Sequence, residues 1–173
     1  TANLKAVSTM TVDGVHVTQI LQIINNATTG HKDTVQISYS AKNMTASAKS
    51  IGIRIMLDTM LGQNDGAPFK VPSLGTVTYE RELSGNAIPQ FWQAFDDLTT
   101  PSVFAVGTLY KTGDIKPDKI QFVDWQGIYY SLSSWDYTID PSQLLTGYSA
   151  VAVYWNPKTV AAGETITVNT YYG

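Results

Sequence analysis

The sequence predicts an all-β fold, an antiparallel β-sandwich with about ten strands and a short helix near residues 88–98. Three observations carry that prediction. Apolar residues recur two apart through most of the chain, the period of a pleated strand with one greasy face. The connections are short and rich in Gly, Pro, Asn and Asp, which suits antiparallel neighbours. No strand–helix–strand rhythm appears, so a parallel sheet is excluded.

The clearest alternation lies in Ser50 to Phe69, SIGIRIMLDTMLGQNDGAPF. Ile51, Ile53, Ile55 and Leu57 point one way, and Gly52, Arg54, Met56 and Asp58 the other. Upstream, Leu4, Ala6, Ser8, Met10 and Val12 form a first series, closed by Asp13-Gly14, a strong signal for a type I′ hairpin. Val15 to Ile24 returns as its partner. After a polar turn, Asn25 to Asp33, the series Val35, Ile37, Tyr39 and Ala41 marks a half-buried strand. Thr59 to Leu74 reads as a long packed loop, because Pro68 and Pro72 cannot donate to a ladder. Thr76 to Glu82 reads as one strand. Phe91, Trp92, Phe95 and Leu98 recur at helical spacing behind Pro89, which predicts an amphipathic helix over Ile88 to Leu98. Ser102 to Lys111, Lys119 to Trp125, Tyr148 to Trp155 and Glu164 to Tyr172 are the remaining strands. No repeat or linker divides the 173 residues, so residues 1–173 form one expected domain.

Composition narrows the function classes. Hydrophobic residues make up 43%, enough for a core, and only 14% are charged, which leaves a Thr-, Ser- and Asn-rich surface. A net charge of -3 without a Lys/Arg cluster argues against nucleic acid as a partner. The absence of Cys excludes disulfides and thiolate chemistry, and fits a bacterial origin better than a eukaryotic secreted one. No apolar run reaches ~18 residues, so membrane insertion is not expected. Opening on TANLKAV, the chain reads as a mature product or a module of a multidomain chain.

Two stretches hold candidate ligand sites. Asp58, Asn64 and Asp65, with Gln63, could offer oxygens to calcium, which takes six to eight of them. The competing reading is an Asn-Asp-Gly turn closed by its own side chains. The second stretch holds Trp125, Gln126, Tyr129, Tyr130, Ser133, Trp135, Asp136 and Tyr137. Rings with an apolar body and a polar handle suit the C–H face of a sugar, with Gln, Asp and Ser nearby for its hydroxyls. The competing reading places these rings in the core. Arg54 is expected in a structural ion pair. His16 and His31 lack a third metal ligand, and nothing resembles a nucleophile elbow. Asp96-Asp97 are excluded as a glycosidase pair, since neighbours on a helix diverge. Asn26-Ala-Thr28 and Asn43-Met-Thr45 match the glycosylation acceptor.

Taken together, Leu57 to Phe69, Ile88 to Leu109 and Tyr154 to Gly173 resemble a β-rich module of bacterial secreted and cell-surface proteins. That module is similar in look to the galactose-mutarotase-like super-sandwiches. The resemblance implies a two-layer β fold and an extracellular or cell-surface location. The mutarotase chemistry does not carry over, because its His acids have no counterparts here. The expectation is a non-catalytic module that binds a polysaccharide or cell-wall glycan, or attaches to a surface. The alternative is a structural spacer or protein-interaction module with all its rings inside.

Overall fold

The computed structural model describes residues 4–26, 29–131 and 134–173. Twelve strands run through them: β1 (Lys5–Val12), β2 (Val15–Ile24), β3 (Thr34–Asn43), β4 (Lys49–Asp58), β5 (Phe69–Val71), β6 (Gly75–Val77), β7 (Arg81–Ser84), β8 (Phe91–Phe95), β9 (Phe104–Thr108), β10 (Lys119–Asp124), β11 (Ser149–Val160) and β12 (Thr165–Tyr172). The single α-helix among the described residues, α1, is Trp125–Tyr130. Eight strands form one sheet in the order β1-β2-β3-β12-β9-β8-β5-β6, and four form a second, β4-β11-β10-β7. The all-β sandwich expected from the alternation is what the chain adopts.

β1 and β2 are joined as predicted, with Asp13 at φ 49° and Gly14 at φ 74°, the double positive φ of a type I′ turn. In β4 the predicted faces hold. Ile55 is buried between the layers, while Arg54 and Met56 lie on the opposite side. The interior joins Ile37 and Val168 of the large sheet to Ile55, Ile120, Phe122, Val151, Val153 and Trp155 of the small one. At its centre Trp92 meets Phe69 at 5.6 Å and Phe122 at 6.0 Å, both edge-to-face, the geometry that ring quadrupoles favour.

The helix near residues 88–98 is not formed. Residues 91–95 are β8, preceded by a short 3-10 turn at Gly85–Ala87. FWQAF satisfies a period of two as well as a helical one: Trp92 and Ala94 face the core, and Phe91, Gln93 and Phe95 the other side. Pairing with β5 and β9 decides the matter, since it satisfies both edges of the backbone and sets Phe95 against Phe104 at 5.9 Å. Two further expectations change. Within the 59–74 segment, Phe69–Val71 forms a strand despite the prolines, because Pro68 and Pro72 fall just outside it. Thr76 to Glu82 is two strands in different sheets, since the chain crosses between layers at residues 78–80.

A second, smaller core lies on the outer face of the four-stranded sheet. Val123, Ala150, Ala152 and Tyr154 are covered there by Ile128 of α1 and by Trp135, Tyr137 and Ile139. Residues 134–140 thus cross the sheet as a strap.

Candidate functional site

α1 starts where β10 ends. Asp124 caps it, its carboxylate accepting from Gly127 N at 3.1 Å, and Ile128 anchors it with no exposure at all. Trp125 N donates to Tyr148 O at 2.9 Å, which extends the β10–β11 ladder into the helix. Behind the helix sits Glu80, a buried carboxylate. It accepts from Asp124 N at 2.9 Å, from the Tyr137 hydroxyl at 2.9 and 3.1 Å, and from Asp140 N at 2.7 Å. One side chain therefore ties together the end of β10, the strap and the segment following it. Burial, then the bond to Glu80, pushes the Tyr137 phenol far above its ordinary range, so it stays a donor.

The aromatic cluster divides into two. Trp125 and Tyr129 stack at 5.7 Å, and Tyr129 meets Tyr130 edge-on at 5.4 Å. Tyr129 is 48% exposed and Tyr130 82%, with Gln126 exposed beside them. Gln126, Tyr129 and Tyr130 form one solvent-facing platform at a corner of the small sheet, with Trp125 half-buried beneath it. Trp135 and Tyr137 turn inward instead. The Trp135 ring meets Tyr154 edge-on at 5.9 Å and lies against Gly52, where an added Cβ would sit 2.6 Å from it. Asp136 pairs with Lys119, which also approaches Glu82 at 3.6 Å. Ser133 lies outside the described residues. Of the predicted ring cluster, Tyr129 and Tyr130 are thus exposed, whereas Trp135 and Tyr137 pack on the outer face of the small sheet.

Arg54 does not form the expected ion pair. Its guanidinium donates to the carbonyls of Ser134 at 3.1 Å and Trp135 at 2.9 Å, and lies 5.8 Å from the centre of the Tyr154 ring. The strap passes over β4 with its carbonyls turned down, and a planar cation with several donors satisfies two of them. Gln121, fully buried, holds Tyr137 further along: it donates to Tyr137 O at 2.8 Å and to Glu82 at 2.7 Å, and accepts from Tyr154.

The 58–66 loop lies at the same end of the small sheet as α1. Ser149, opposite Asp124 in the ladder, accepts from Thr59 N and donates its own N–H to Asp65 O. The Asn64 side chain is committed at both ends, donating to Asp96 O at 2.8 Å and accepting from Gly66 N at 2.9 Å. That is the self-closed turn among the two sequence readings. Burial and the neighbouring Asp65 push the Asp58 carboxyl up, so the two acids feel one another. Among the described residues no three His, Asp or Glu side chains are grouped so as to hold a metal ion.

Asp96 and Asp97 diverge, but within a turn rather than a helix. Asp96 accepts from Ser102 and Val103, and Asp97 from Thr99 N and Thr100 N at 2.7 Å, bonds that hold both carboxyls below the usual range. His16 bonds Thr11 at 3.1 Å and His31 is exposed in a turn, far apart in the sheet. Asn43 is wholly buried, donating to Ser47 O and Val160 O, so its acceptor motif is closed to modification in the folded state. The Asn26 motif includes residues 27 and 28, which lie outside the described residues. Sequence reasoning missed Glu80, which reads simply as part of a charged run, Glu80-Arg81-Glu82. It also missed Tyr148, 47% exposed and opposite Trp125.

The fold and site define an all-β sandwich carrying an exposed ring platform. No protein-family model matches the chain, and no curated protein is similar to it.

Proposed function

We propose that this chain is a non-catalytic carbohydrate-binding module of an extracellular or cell-surface bacterial protein, as the resemblance to secreted β-rich modules implies. The observation that supports this most is the platform on α1. Tyr129 and Tyr130 are exposed together, beside Gln126, on a helix fixed by its cap and its buried Ile128. Ordering a sugar against rings that are already held costs less than ordering the rings as well. Trp125, stacked under Tyr129, fixes that ring's angle. Gln126 supplies both donor and acceptor for hydroxyls. Tyr137 lies beneath the platform, its hydroxyl close to Gly127 and bonded to Glu80, while Trp135 and Asp136 pack and pair elsewhere along the strap.

The test is a glycan array probed with wild type and with Tyr129→Ala/Tyr130→Ala. Truncating a stacking ring at a binding hot spot costs about 1–2 kcal/mol, so each ring is worth ~tenfold in affinity. The double variant should lose its array signal while keeping the wild-type melting temperature. An array on which the wild-type protein binds nothing refutes the reading. The second reading, a structural or protein-interaction module, is favoured by a different feature, the exposed edge formed by β1.

A further inference from the structure

The two layers are unequal, eight strands against four, and the excess falls at one side. On that side β4 is the edge strand of the small sheet, and β1 the edge strand of the large one. Apolar packing under β4 reaches Val15 and Val17 of β2 but not β1, all eight of whose residues are exposed. The face that would be interior continues past β4 regardless. Leu4, Met10 and Val12 lie on it, register partners of Ile23, Val17 and Val15, and are 63%, 58% and 49% exposed. Between this overhang and the edge of β4 runs a cleft of ≈ 540 Å³, walled by Val12, Val15, Val17 and Tyr39 on one side and Ile51 and Ile53 on the other.

We propose that this overhang is the interface of a two-fold dimer, in which β1 of each copy adds to β4 of the other. A two-fold axis along the strands, midway between the layers, carries the large sheet of one copy into the layer of the other's small sheet. β1 then abuts β4 of the second copy, twice over. Each layer becomes a continuous sheet, and the two overhangs cover one another's apolar faces.

Direction, length and charge agree with this pairing. β1 and β3 run the same way, because both are antiparallel to β2. β4 runs back through the 44–48 connection, so the axis sets it antiparallel to β1. The strands match in length, eight residues against ten. In that arrangement Lys5, at the start of β1, comes beside Asp58 at the end of β4. Asp13, in the hairpin turn, comes beside Lys49 at the start of β4. Both ends thus bring opposite charges together. The backbone is ready as well. Ile23 N donates to Leu4 O, and closely spaced bonds recur at every second pair. Lys5, Val7, Thr9 and Thr11 therefore turn their N–H and C=O groups outward. An edge of this length with a single charge and no proline lacks the usual protection against pairing. Two edge strips and one overhang face, each about eight residues long at ~3.3 Å and ~10 Å deep, total ~800 Å² per copy. That is the size of a standard stable interface.

The experiment is sedimentation equilibrium on the full chain, with Thr9→Pro, Lys5→Glu and Lys5→Glu/Asp58→Lys. Wild type should sediment at twice the 18.9 kDa chain mass. Thr9→Pro removes an outward N–H that β2 does not use, and should give a folded monomer by circular dichroism. Lys5→Glu should weaken the dimer about tenfold, the pair occurring twice, and the double variant should recover it. Amide exchange adds a readout independent of any variant: Val7, Thr9 and Thr11 should gain protection as protein concentration rises. A monomeric wild type, an open-ended polymer, or a dimer indifferent to Thr9→Pro and to the charge swap overturns the proposal. Exchange at those amides that does not change with concentration overturns it too.

Discussion

Replacing Glu80 with Gln should unseat the strap and, with it, the platform on α1. The carboxylate is 2% exposed and accepts from two backbone amides and one phenol. Gln is the same size, so no cavity is made. One acceptor oxygen becomes an NH2 group, and whichever way the amide turns it confronts a donor, Asp124 N on one side or Asp140 N on the other. A hydrogen bond to a charged group contributes about 1.5–3 kcal/mol, and a buried donor left facing another donor carries its desolvation cost besides. Expected destabilisation is therefore about 2–3 kcal/mol, a large share of a total stability of about 5–15. Glu80→Ala, which removes every bond and leaves space, should cost about 4–5 kcal/mol.

The assay is urea unfolding at equilibrium, read by far-ultraviolet circular dichroism for the sheets and by tryptophan emission, to which Trp135 of the strap contributes beside Trp92 and Trp155 of the core. Tyr137→Phe closes a double-mutant cycle. Alone it should cost about 1–2 kcal/mol, and the cycle with Glu80→Gln should show coupling of about 1 kcal/mol, since both changes remove the same bond. A Glu80→Gln protein within ~0.5 kcal/mol of wild type would refute the claim that this carboxylate holds the segment.

Gly52→Ala places a methyl against the Trp135 ring, 2.6 Å from its nearest carbon, and 3.0 Å from Pro157, so the strap must shift. A loss of about 1–3 kcal/mol with a red-shifted tryptophan emission is expected, and an unchanged melting temperature would contradict it. In alkali, the tyrosines have a definite sign. Burial raises the folded-state values of Tyr137, Tyr154, Tyr171 and Tyr172 above the ordinary 10.0. Their contribution is complete below pH 10 and falls as pH rises beyond it, by at most about 1.4 kcal/mol per pH unit for each group. Stability measured by urea from pH 9 to 11.5 should be flat, then decline; a flat profile throughout refutes the burial of these phenols. Calcium at millimolar concentration should leave the melting temperature unmoved, because Asn64 is already committed at both ends. A rise of several degrees would show that the loop opens to bind it.

How legible all this was depends on what sets each feature. β1 to β4 are written in alternation and one Asp-Gly turn, signals local enough to read directly. β8 is not, because Phe91, Trp92, Phe95 and Leu98 satisfy a helical and a pleated period together, and neighbours that arrive from β5 and β9 decide. The aromatic stretch shows the same limit on a finer scale. Composition identifies Trp125 to Tyr137 as the place to look. Which rings face water depends on residues far away in sequence: Gly52 admits Trp135, Glu80 holds Tyr137, and Arg54 takes the carbonyls of Ser134 and Trp135. None of these three carries a ligand-binding signature, since their work is to clear space and satisfy a crossing backbone.

That division also explains why the strap is built from polar anchors. A segment crossing the outside of a sheet cannot join its ladder, so its carbonyls and amides need partners from side chains. Arg54, Gln121 and Glu80 supply them in sequence along the crossing, at Ser134 and Trp135, at Tyr137, and at Asp140. Apolar contacts alone would let the segment slide, because alkyl and ring packing is non-directional. Fixing each backbone group to a named partner sets its register, and register is what leaves Tyr129 and Tyr130 outside while Trp135 and Tyr137 go in. The exposure of the platform therefore follows from the burial of its neighbours. Loosening the anchors should bring the two groups of rings to equal accessibility before the sheets themselves unfold.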